Sequence, residues 1–134
     1  DEGRKMLIRD GKVLANLCKK HHTRLGYYMV WPSKQYYFTF DKVINNHTIA
    51  AKKNNVMLFP VGSYWKQYQK STNYVNLYGP DQFHPSKSGS LLAALTIFKG
   101  LYPNKNLKKL PFQKVSNWIT HKKSYEAILK LLEK

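Results

Sequence analysis

Acidic residues are scarce in this sequence: Asp and Glu number 7 against 23 Lys and Arg, for a formal net charge of +16. Such a balance attracts polyanions, whether nucleic acid, an acidic membrane surface or an acidic polysaccharide. The basic residues are scattered, however. Lys19-Lys20, Lys52-Lys53, Lys108-Lys109 and Lys122-Lys123 are separate doublets rather than one tract. A general basic surface is expected, which leaves a polyanion partner open and makes nucleic acid an unexpected one. Cysteine is nearly absent too. Cys18 stands alone, which excludes an internal disulfide and a cysteine-rich zinc site. His21-His22, His47 and His121 lack metal-ligand spacing, and few carboxylates could join them, so neither a metal nor a cofactor is expected. No apolar run approaches the roughly 18 residues that span a bilayer. The amino end, Asp1-Glu2-Gly3-Arg4-Lys5, lacks a leader pattern and does not begin with Met, so a natural start upstream is expected.

What is present is a core. With 134 residues, 43% of them hydrophobic and 14% aromatic, the chain has material for one packed domain. Residues 4–22 carry Leu7, Gly11, Leu14 and Cys18 on one stripe of a helix. Gly26 to Pro32 is a short apolar and aromatic run that ends at proline, which predicts a strand buried on both faces. A second amphipathic helix is predicted over 36–53, with Phe40, Ile44, His47 and Ala51 on its stripe and Asn54-Asn55 at its break. Val56 to Gly62 is a second buried strand. Strand, helix and strand with short links make a parallel βαβ unit.

A short helix is expected over 64–70, a long loop over 71–88, and a helix over 89–101 with Leu91, Leu92, Leu95 and Phe98 inward. A helical carboxy-terminal tail fills 104–134, with Val115, Trp118, Ile119, Ile128, Leu131 and Leu132 as core candidates. Two strands apolar on both faces need neighbours on both sides. The chain therefore reads as one incomplete domain, half of a doubly wound α/β fold, with the other half either preceding Asp1 in the natural gene or supplied by another chain.

The long loop holds Tyr78-Gly79-Pro80-Asp81-Gln82-Phe83-His84-Pro85, followed by Ser86-Lys87-Ser88-Gly89-Ser90 and the Leu-Leu-Ala-Ala helix. A carboxylate three residues before a histidine can hold one imidazole nitrogen and free the other as a general base. A helix-capping aspartate beside an incidental histidine is the commoner meaning of that spacing. Ser86, Ser88 and Ser90 read as caps at the helix start.

Asp81, His84, Pro85 and Gly89, with the strand ending in Trp31-Pro32 and Phe59-Pro60-Val61-Gly62 before Tyr64-Trp65, resemble the carboxy-terminal half of the SGNH hydrolases, the GDSL-like esterases and lipases, over residues 4 to 102. The resemblance implies a flavodoxin-like three-layer α/β/α fold with a parallel sheet, its amino-terminal strands missing, and hydrolysis of carboxylic esters of small acyl or acetyl type, carbohydrate being one alcohol that could carry them, through an acyl-serine. It implies His84 as the base, Asp81 as the acid that orients it, and an extracytoplasmic setting, which the residues themselves leave open. The family's Gly-Asp-Ser nucleophile and its oxyanion motifs are absent, so the chain alone is expected to be inactive. The missing partner is then the amino-terminal half of the domain. Ser33 and Ser63, each following a strand, fit pocket lining better than a nucleophile. Tyr64, Trp65 and Phe83 join them as candidate substrate contacts. The alternative is a non-catalytic, strongly basic module on a degenerate SGNH fold that binds polyanions or carbohydrate.

Overall fold

A computed structural model describes residues 1–133. Helix α1 (Glu2–Lys20) leads into strand β1 (Gly26–Tyr28), a 3-10 helix (Lys34–Thr39) and helix α2 (Phe40–Asn54). Strand β2 (Met57–Phe59) runs straight into helix α3 (Val61–Tyr68), and helices α4 (Lys87–Leu101) and α5 (Lys122–Leu132) follow. The two strands pair in parallel, Gly26 with Met57, Tyr27 with Leu58 and Tyr28 with Phe59, so the expected parallel βαβ unit is formed. The chain is of mixed α and β structure, mostly helical.

Local chemistry explains the ends of these elements. Asp1 caps α1 by accepting from the Arg4 amide. Asn55 adopts a left-handed conformation with φ 50°, which ends α2 and returns the chain to β2. Ser86 caps α4 by accepting from the Gly89 amide at 3.1 Å. Pro60 begins α3 earlier than the pattern at Tyr64 suggested, because proline suits a helix start.

The main core lies among α3, α4 and α5 rather than on the sheet. Trp65, Tyr68, Leu77, Leu92, Ile119 and Ile128 are its largest fully buried members, with Phe40 joining from α2. The carboxy-terminal tail is therefore part of the core: Tyr125, Ile128, Leu129 and Leu132 of α5 are all buried within it. On the other side, α1 packs on α2, and the Tyr27 hydroxyl donates to the Leu7 carbonyl at 2.7 Å.

Several burial expectations are corrected. β1 is not covered on both faces: Tyr28 and the following Val30 are exposed, while Met29 is fully buried. Leu14 of α1, Phe98 of α4 and Trp118 of the tail are also exposed, although each sits on an apolar stripe. For β1 the reason lies in its edge. The Met57 amide donates to the Leu25 carbonyl and the Met29 amide to the Phe59 carbonyl, so alternate residues of β1 turn toward β2. Gly26 and Tyr28 turn their backbone groups the other way, where no third strand stands among the described residues.

Helix backbone comes close to neighbouring backbone at Gly62 and Gly89. A Cβ at Gly62 would meet the Val30 carbonyl oxygen, and one at Gly89 the Leu77 carbonyl oxygen and the Trp65 ring. Backbone oxygens cannot retreat as a side-chain tip can. We expect Gly89→Ala to destabilise the chain by roughly 1–3 kcal/mol, the usual cost of overpacking. Gly3→Ala, whose Cβ would meet only ordinary contacts, should leave urea denaturation midpoints unchanged or higher. Equal midpoints for the two variants would show that α4 does not need the close approach.

Candidate active site

The loop that carries Asp81 and His84 is closed on itself. Tyr78 and Pro85 form an isolated antiparallel bridge. Inside it the Gly79 amide donates to the His84 carbonyl at 2.7 Å, and the Gln82 amide to the Gly79 carbonyl at 3.1 Å. The second bond makes a β-turn with Pro80 at the position proline favours. Gln82 then takes a left-handed conformation with φ 60°, uncommon for a side chain with a Cβ.

That reversal places three donors around one carboxylate. Asp81 Oδ1 accepts from the Phe83 amide at 3.1 Å and the His84 amide at 2.9 Å. Asp81 Oδ2 lies 2.5 Å from His84 Nδ1. A carboxylate can only accept, so Nδ1 carries a hydrogen, and whenever the ring is neutral Nε2 is the nitrogen with the lone pair. Among the described residues Nε2 makes no hydrogen bond, and the imidazole side chain is 73% exposed. The bond from His84, followed by those from the backbone amides, holds the Asp81 carboxyl down at about 2. The group is thus oriented, tautomerically fixed and accessible, which is what a general base requires.

Three contacts fasten this loop to the segment leaving β1. The Trp31 indole nitrogen donates to the Phe83 carbonyl at 3.0 Å. The Lys34 amide donates to the Gln82 carbonyl at 2.9 Å. The buried Tyr78 hydroxyl donates to the Pro32 carbonyl at 2.8 Å, and burial pushes its ionisation up to about 12, so it stays a donor. The pair therefore sits beyond the carboxyl end of a parallel strand, where open α/β sheets bind their ligands.

Of the other residues singled out in the sequence, Ser33 and Phe83 share a groove with Asp81, lined further by Gln35, Tyr36 and Gln82. Ser63 lies elsewhere, with its hydroxyl 3.4 Å from the Met29 sulfur. Trp65 is a correction. It is fully buried, stacked on Trp31 with ring centroids 3.9 Å apart and edge-on to Tyr78, and so supports the strand exit from within the core. Because α3 begins at Val61, Trp65 falls one turn further along and turns inward. Tyr64 is partly buried against the same core. The hydrogen bonds from Trp31 and Lys34 to the loop, and the groove position of Gln35, escaped the sequence pattern, whereas Tyr36 belongs to an aromatic-rich stretch that already suggests a sugar- or acyl-binding rim. For the others the one available signal was their place just after a strand's carboxyl end.

No family model, curated protein or solved structure matches the chain. No group of three or more His, Cys, Asp or Glu that could hold a metal occurs among the described residues, and no helix there is long and apolar enough to cross a membrane.

Asp81 stays ionised in the folded loop down to about 2, whereas an unfolded aspartate protonates near about 3.9. Its contribution to the loop is fully present above the unfolded value and is lost as the pH falls through the folded one. In a carbon-detected NMR titration the Asp81 carboxyl should show a midpoint near 2. In His84→Ala that midpoint should rise toward the ordinary range. An unmoved midpoint would mean that the backbone amides alone hold the carboxylate.

Proposed function

We propose that this chain supplies the acid–base pair of a serine ester hydrolase of the SGNH kind, His84 as base and Asp81 as its positioning acid. The observation that supports it is the Asp81–His84 contact on a closed loop, fastened beyond the carboxyl end of β1 with Nε2 open to solvent. A capping role for Asp81 would explain the bonds to the two amides but not the bond to the imidazole. Nor does a capping residue need cross-links from Trp31 and Lys34.

The nucleophilic serine comes from outside this sequence. Nε2 takes the proton from its hydroxyl as Oγ attacks the ester carbonyl. His84, now charged beside Asp81, returns that proton to the departing alkoxide as the carbon–oxygen bond breaks. Water then repeats the sequence on the acyl-serine, giving the free acid and restoring the base. The oxyanion donors must arrive with the serine, since no backbone amide pair in the loop is free of partners in the required place. Without them the largest electrostatic contribution is missing.

On this reading the two strands are part of a flavodoxin-like three-layer sheet completed by further parallel strands on the free edge of β1. The exposed Met6, Val13, Leu14 and Leu17 of α1 and Tyr28 and Val30 beside that edge supply apolar surface for such a neighbour.

The isolated chain is expected to hydrolyse p-nitrophenyl acetate no faster than an equal concentration of imidazole. In the natural gene product that carries the serine, His84→Ala and Asp81→Asn should each lower kcat/KM by roughly 10⁴-fold. The melting curve of His84→Ala should stay close to wild type, so that its loss of turnover is not loss of fold. Wild-type turnover in His84→Ala would end the proposal, and so would a natural product without a serine after the neighbouring strand.

A further inference from the structure

The groove beside Asp81 has a composition at odds with the rest of the molecule. In a chain of net charge +16, the residues that line it include no Lys or Arg, and Asp81 is the one charged group among them. An anionic ligand would meet a carboxylate there and no Lys or Arg among the lining residues. One wall comes from the 3-10 helix and the turn before it, with Ser33, Gln35 and Tyr36; the other is the loop Asp81, Gln82 and Phe83.

Both walls carry exposed aromatic rings. Tyr36 and Phe83 are each about half exposed, and Phe38, 82% exposed, stands edge-on to Tyr36 with centroids 6.3 Å apart. Their neighbour Tyr37 behaves differently: it packs on Phe40 and bonds Gln69, so it has a structural task. Tyr36 and Phe38 have none of that kind. Their polar neighbours are also open, for neither the Ser33 hydroxyl nor the Gln35 amide is in a hydrogen bond among the described residues. The groove is rigid, because the Lys34 amide to Gln82 carbonyl bond at 2.9 Å and the Trp31 indole to Phe83 carbonyl bond at 3.0 Å tie its two walls together. A ligand would meet surfaces already in place, with little ordering cost.

Flat apolar rings beside neutral amides and hydroxyls, with no cation, suit one ligand chemistry. A neutral pyranose ring presents an apolar C–H face for stacking on Tyr36 or Phe83, and hydroxyls in its plane for the amides of Gln35 and Gln82. We infer that this groove binds a neutral sugar ring, which would be the alcohol part of the ester. Sugar binding stands on the groove alone, whereas its role as substrate rests on the hydrolase proposal.

The test is an amide NMR titration of this chain with xylotetraose, cellotetraose and triacetylchitotriose, with chondroitin sulfate as the anionic comparison. At least one neutral probe is expected to shift the amides of residues 33–38 and 81–84, with affinity on the order of millimolar. That binding should survive about 0.5 M salt, where screening reaches within a few ångströms. Tyr36→Ala should weaken it by roughly tenfold, and Phe83→Ala, also at an exposed site, serves as the second variant. Three results would overturn the inference: no groove shift from any neutral probe at about 20 mM, far above a millimolar Kd; binding by chondroitin sulfate alone, lost in salt; or unchanged affinity in both variants. Sugar binding in a natural product without esterase activity would retain the groove and remove the hydrolase proposal. Hydrolysis of simple acetyl esters with no sugar in the groove would do the reverse.

Discussion

The Asp81 carboxylate accepts from the imidazole of His84 on one oxygen and from the amides of Phe83 and His84 on the other, so the group that orients the ring also shapes the backbone carrying it. These two tasks are usually divided between distant residues. Joined in one turn, they make the position of Nε2 a local property of a few residues, anchored by the Tyr78–Pro85 bridge. The left-handed Gln82 is part of the same device: it reverses the chain so that both amides reach Oδ1, and it aims the Gln82 carbonyl at the Lys34 amide. A residue with a Cβ in that conformation costs of order 1–2 kcal/mol, and the bonds on either side hold it there.

Rigidity reaches this loop from the core through aromatic rings. Trp65, fully buried, stacks on Trp31, and Trp31 in turn donates to the Phe83 carbonyl. Tyr78 packs edge-on against Trp65 and donates to Pro32. The exposed pair is thus connected in two steps to side chains with no solvent contact. Gly89 permits the arrangement, since a side chain there would push α4 off the Leu77 carbonyl and the Trp65 ring that α4 must approach.

Local order was legible in the sequence, and its limits have a physical cause. Asp81 and His84 are three apart, so their meeting needs only a turn, and Pro80 with Ser86 marks where the turn starts and the helix begins. The parallel pairing of β1 and β2 followed from the link between them. Burial was less legible, because it depends on neighbours far away in sequence. Tyr28 and Val30 have the composition of covered residues yet lie beside an open edge, and Phe98 and Trp118 are exposed as well. Trp65 reads as a substrate contact from the sequence because the start of α3 at Val61, which turns it inward, is not marked there. Tyr36 stands four residues before Phe40, on the stripe that a 3.6-residue period turns inward, yet residues 34–39 wind as a 3-10 helix with a break at Tyr36, and its ring is half exposed.

On the proposed reading the chemistry needs a hydroxyl from outside this sequence, and among the described residues no strand pairs with the backbone groups of Gly26 and Tyr28 on the other edge of β1. A strand laid parallel to β1 on that edge would satisfy those groups, and its carboxyl end would emerge beside Trp31, Pro32 and Ser33. That segment is also where the dyad loop is fastened. Antiparallel addition would bring an amino end there instead, and a loop leading into a strand offers no helix start for an oxyanion. On the proposed reading the direction of the missing strand is therefore constrained by chemistry as well as by pairing: only a parallel neighbour delivers a strand-to-helix turn, with its free amides, to the open nitrogen of His84.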